Sequence, residues 1–144
     1  MDQELANYLF DEASRTFDFL VKDYNFAPPE LEVDNRIHFA TVSFMGKNLA
    51  LECILDERDE DITCKIARVI DGKKTPHYAV DDKRRRVRED LFHLLRSRGV
   101  RDNFFRKIAD LDIRQKIRIT LEHFAQMLKN HGQDILGDSP GALA

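Results

Sequence analysis

Apolar and polar residues alternate along one stretch, Arg36 to Ile70, and two turn signals interrupt the alternation. A period of two sends successive side chains to opposite faces, so the stretch predicts a three-stranded antiparallel meander. Gly46-Lys47 supplies the first turn. Glycine at the first central position suits a two-residue type II′ hairpin, which pairs Phe44 with Leu49, Val42 with Leu51 and Ala40 with Cys53. A loop centred on Arg58-Asp59 pairs Leu55 with Ile62, Cys53 with Cys64, Glu52 with Lys65 and Leu51 with Ile66. Both registers put Val42, Phe44, Leu49, Leu51, Cys53, Leu55, Ile62, Cys64 and Ile66 on an inner face, and Thr41, Ser43, Glu52, Thr63 and Lys65 on an outer one. A slip of one residue would turn the apolar row to water. Phe39, Ile54 and Val69 interrupt the polar face, which implies a cover there, either a chain terminus or a second copy.

Elsewhere the spacing is helical. Leu5, Leu9, Ala13, Phe17, Leu20 and Tyr24 step by three and four and predict one helix over Asp2–Tyr24, closed by Asn25 and stopped by Pro28-Pro29. After an irregular connection over Lys73–Val80, Asp81 or Asp82 caps a predicted helix to about Arg98, with Val87, Leu91 and Leu94 or Leu95 inward and Gly99 closing it. Asp102 caps a short helix holding Phe104, Phe105 and Ile108. Asp112 opens a long one along Ile113, Ile117, Leu121, Phe124 and Leu128, which stops at Gly132. The expected fold is a single α+β domain over residues 1–136: an N-terminal helix, the meander, and about three C-terminal helices packed on one sheet face. Residues 137–144 are expected to form a flexible tail.

At 144 residues, with 42% hydrophobic and 34% charged positions, the chain has the makings of one ordinary core. No apolar run approaches the roughly 20 residues that cross a bilayer. The opening MDQELANYLFDEAS is acidic where a secretory signal is basic and then apolar, so a cytoplasmic protein is expected.

In a reducing compartment the two cysteines, facing each other across the sheet, read as small buried hydrophobes rather than a disulfide. They form no CxxC pair, and no further Cys or His completes a zinc site. His38, His77, His93, His123 and His131 are scattered, with no HExxH spacing. The chain carries no GxSxG, no GxxxxGK[ST] and no GxGxxG after a strand. The reading is a non-catalytic chain without metal or cofactor.

Charge adds an asymmetry. Residues 1–72 carry seven Lys and Arg against 16 Asp and Glu, a net of −9, and residues 73–144 carry 16 against ten, a net of +6, giving −3 together. The acids cluster at Asp56, Glu57, Asp59, Glu60 and Asp61, on the second loop of the meander. As a solvated turn they keep the sheet edge from associating; as a prong they would attract a basic protein surface. The run lacks the glycine and terminal glutamate of a calcium loop. The bases cluster at Lys83, Arg84, Arg85, Arg86 and Arg88. At a helix start they would oppose the macrodipole, so pairing with the acidic half is the local reading and nucleic-acid contact the sharper one. A pI near 5.9 and the flanking Asp81, Asp82, Glu89 and Asp90 weigh against nucleic acid.

FDFLVKDYNF, LECILDERDEDITCKI and LEHFAQMLKNHGQDILGDSPGAL together resemble the layout of small uncharacterised bacterial cytosolic α+β proteins, some of them immunity-like. Immunity-like proteins neutralise toxins by direct binding, so the resemblance implies a protein partner and carries over no functional residue. The sequence thus predicts a protein-binding module that uses the acidic hairpin or the exposed sheet face. A homo-oligomeric scaffold, such as a homodimer burying Phe39 and Ile54, is the second reading, with an unrecognised enzyme or a nucleic-acid binder behind it.

Overall fold

The Asp2 carboxylate accepts the amides of Glu4 and Leu5 and starts helix α1, Gln3–Thr16. The single helix expected to Tyr24 breaks at Phe17, whose backbone leaves helical geometry at φ −104° and ψ 17°. The break turns the Phe17 ring fully into the core, 5.8 Å from that of Phe44, and α2 resumes over Asp18–Tyr24. Asn25 closes α2 at φ 62°, a conformation asparagine tolerates well. These coordinates are a computed structural model that describes residues 1–75, 87–101 and 104–143.

The sheet is larger than a three-strand meander. Strands β1 (Glu30–Asp34), β2 (Phe39–Met45), β3 (Leu49–Asp56) and β4 (Asp61–Ile70) run antiparallel in that order. Two short segments, β5 (Lys73–Lys74) and β6 (Arg88–Asp90), share the far edge of β4, so the curled sheet has five strand positions. The Arg68 amide reaches Val87 while the Arg68 carbonyl accepts from Thr75, which puts both segments on one edge. Strand β1 alternates Glu30, Leu31, Glu32, Val33 and Asp34, a period-two pattern behind the helix stop at Pro28-Pro29 that lies outside the meander predicted over Arg36 to Ile70.

The β3–β4 register is the predicted one, with Cys53 opposite Cys64 and Glu52 opposite Lys65. The β2–β3 register differs by two residues: Phe44 pairs with Leu51, Val42 with Cys53 and Ala40 with Leu55. Gly46 is not at positive φ, so no type II′ turn forms. Instead the Asp138 carboxylate accepts the amides of Lys47 at 2.6 Å, Asn48 at 3.1 Å and Leu49 at 2.7 Å, holding a wider loop from outside. A shift of two preserves the faces. All nine residues predicted to point inward are buried in one core with α1 and the later helices.

Among the described residues after the sheet, two helices exceed a single turn, not three: α3 (Leu91–Ser97) and α5 (Ile113–His131), with one-turn pieces α4 (Phe104–Lys107) and α6 (Gln133–Leu136). The helix expected from Asp81 or Asp82 begins only at Leu91, capped by Asp90, because Arg88–Asp90 pair with β4 as a strand. Asp81, Asp82 and Asp102 lie outside the described residues. Gly99 lies at φ 90° and Asp112 caps α5 through the Gln115 amide, as their spacing predicted. The tail expected to fray docks instead. Pro140–Leu143 form a turn of 3-10 helix, Ala142 and Leu143 are buried, and Arg98 reaches Ala142 while Arg68 reaches Pro140 through their carbonyls.

Candidate functional site

Directly opposed residues of antiparallel strands share a face, so the outer side of the sheet follows from its register. Glu30, Ser43, Glu52, Lys65 and Asp90 form one row across it, and Glu32, Thr41, Ile54 and Thr63 the next. None of these residues, Ile54 included, belongs to the hydrophobic cluster, which gathers the inner-face residues with the helices. A polar outer row is expected to be wet. Glu52, however, is 2% exposed and Ser43 is 2% exposed.

Segments β5 and β6 account for that burial. Lys74 donates to Ser43 Oγ at 2.7 Å and to Glu52 Oε2 at 3.1 Å, and lies 3.6 Å from Glu32. Arg88 contacts the other Glu52 oxygen and also donates to the Thr75 carbonyl at 2.6 Å. Thr75 Oγ1 in turn donates to the Val87 carbonyl at 3.1 Å. Both oxygens of one buried carboxylate are thus met by cations from two chain segments. Burial draws the Arg88 guanidinium down from its usual range.

This network floors an open cleft of about 570 Å³. Strand β1 and the following turn supply one wall through Glu32, Asp34, Arg36 and Ile37, and Phe39 and Thr41 extend the floor. Ile37 is 50% exposed at the rim, the more exposed of two exposed large hydrophobic side chains among the described residues. Asp34 accepts the Arg36 amide at 3.0 Å and sits 3.5 Å from its guanidinium, which together hold its carboxyl below the usual range. A shallower depression continues along the same face past Glu30, Met45 and Lys73, and shares Glu32 and Lys74 with the cleft.

The acidic loop is a less open prong than its sequence suggests. Asp56 accepts the amides of Arg58 and Asp59 and so shapes its own turn. Glu57 accepts the Asp2 amide at 2.8 Å and lies 3.0 Å from His38 Nδ1, contacts that lower its pKa. Glu60 and Asp61 border a small depression beside Ile108 and Lys116 of the helical layer. Burial first, and then Asp56, Asp59 and Asp90, raise the Asp61 carboxyl above its usual range against the opposing Ile62 amide.

Of the basic run, Lys83, Arg84, Arg85 and Arg86 lie outside the described residues. Arg88 lies in a strand rather than at a helix start, and is buried on Glu52. Register alone sets Glu52 opposite Lys65. The ion contacts of Glu52 come from Lys74 and Arg88, 22 and 36 residues away, and no local pattern marks them. Ile54, offered as an oligomer contact, is already 7% exposed within the one chain. The two thiols lie 3.9 Å apart and buried, and burial together with the facing Cys53 pushes the Cys64 thiol well up. Among the described residues no group of His, Cys, Asp and Glu could hold a metal ion, and no helix is long and apolar enough to cross a membrane. No protein-family model, curated protein or solved structure matches the chain.

Proposed function

We propose that the chain is a non-catalytic protein-binding module, of the immunity-like kind its sequence resembles, and that it meets its partner with the outer sheet face. The observation that carries this reading is the open cleft on that face, floored by Glu52, Lys74 and Arg88. An exposed aliphatic side chain beside charged rim groups is the mixture a protein interface uses, an apolar anchor within a polar border. Acid–base catalysis asks for a group able to exchange a proton with substrate, and both Glu52 oxygens are engaged by cations. Glu57, tied to Asp2 and His38, supports giving the acidic loop a structural task first.

Photo-crosslinking in the cells that make the protein tests the reading. A crosslinking residue at Thr41, on the cleft floor, is expected to trap a different protein, whereas the same residue at Arg118, exposed on α5, traps none. Equal trapping from both positions, or none from Thr41, overturns the proposal. An adduct of twice the chain mass restores the homo-oligomeric scaffold.

A further inference from the structure

Strand β1 ends the sheet, and the direction of its peptide groups can be worked out. The Met45 carbonyl accepts from Ala27, on the β1 side, while Gly46 donates to Leu49, on the β3 side. Peptide groups of successive strand residues alternate in direction, so Phe39, Thr41 and Ser43 bond toward β1 and their partners Asp34, Glu32 and Glu30 bond back. The N–H and C=O groups of Leu31 and Val33 therefore point away from the sheet, and among the described residues they have no backbone partner. The side chains sort the same way. Glu30, Glu32 and Asp34 stand on the outer face, and Leu31 and Val33 pack half-buried against the core.

We propose that β1 is an edge onto which an extended segment of the partner adds antiparallel, with basic side chains alternating with apolar ones. The inference rests on the proposed binding through the outer face and specifies its occupant. Residues of the added strand opposite Glu30, Glu32 and Asp34 project over the outer face, within reach of the three carboxylates and the cleft they border. Residues opposite Leu31 and Val33 project inward and extend the core by one strand. The acids also decide against a second copy. Two β1 strands paired with each other would set carboxylate against carboxylate, whereas a basic strand meets opposite charge at every second position. Glu32 and Asp34 already lie near Lys74 and Arg36, and Glu30 has no ion pair among the described residues, so Glu30 is the position whose reversal isolates the effect.

The probe is a short capped peptide of alternating lysine and valine, titrated into the full chain and followed by backbone amide NMR. Binding is expected to slow exchange of the Leu31 and Val33 amides and to weaken with added salt. Glu30→Lys is expected to weaken it about tenfold. N-methylating the valines, whose amides face β1, removes binding; N-methylating the lysines, whose amides face away, leaves it. Equal binding by a peptide with its lysines gathered in a block, insensitivity to which amides are methylated, or unchanged Leu31 and Val33 exchange each overturns the inference. The peptide controls stand even if Glu30→Lys fails to fold. Crosslinking from Thr41 without this peptide pattern sinks strand addition alone, and absence of that crosslink sinks the wider reading.

Discussion

Glu52 shows what a buried charge demands. Its carboxylate lies on the outer face of a central strand, and Lys74 and Arg88 both reach it there. Removing Arg88 leaves one buried Glu52 oxygen without its partner while Lys74 still meets the other, which is costlier than replacing Glu52 and Arg88 together by apolar residues. Arg88→Met is therefore expected to lower stability by about 1–3 kcal/mol in urea denaturation, with Glu52→Leu/Arg88→Met together recovering most of the loss. A negligible cost for the single change would mean that the network does not hold β5 and β6 to the sheet. Asp61 presents the opposite sign. Its carboxyl is raised, so its contribution to folding is present below the unfolded value and lost as pH rises through the folded one. Asp61→Asn is expected to stabilise the protein by under about 1 kcal/mol near pH 7 and to give nothing near pH 3. Thermal unfolding at both values checks this, and an equal gain at both would count against ionisation as the cause.

Elements followed the sequence where their signals were local. The α5 cap at Asp112, the left-handed Asn25 and the β3–β4 register each rest on residues within a few positions of one another. The β2–β3 loop departed because its anchor, Asp138, lies about 90 residues along the chain. A carboxylate accepting from three consecutive amides favours a wider loop than glycine alone would choose, and Asp138 also meets the space where a Cβ on Gly46 would sit. Asp138→Ala is expected to cost about 1–3 kcal/mol and to speed hydrogen exchange at Lys47, Asn48 and Leu49 while leaving the Cys53–Cys64 pairing intact. Unchanged exchange there would show that the loop holds itself. The start of α3 moved for a related reason. Val87, Leu91, Leu94 and Leu95 are all buried as their helical spacing implied, but the β4 edge captures Arg88–Asp90 first.

Across the whole molecule, the division of charge along the chain becomes contact between its halves. Glu32 and Glu52 from the acidic half meet Lys74 and Arg88 from the basic half, and these contacts floor the cleft. The same division leaves Glu30, Glu32 and Asp34 along an open edge, where the alternating-peptide titration tests whether an oppositely charged strand is preferred. The residues alone determined which faces are apolar, where α1 and α5 begin, where α2, α3 and α5 end, and that the two thiols oppose each other across neighbouring strands. Period, caps and turn residues act over a few positions, and burial of one face makes them agree. Only the folded chain decided that the outer polar row would hold a buried ion network, that the last residues would dock, and that β1 would form an edge. Those outcomes depend on groups tens of residues apart meeting at a few ångströms, a distance that no short-range pattern encodes.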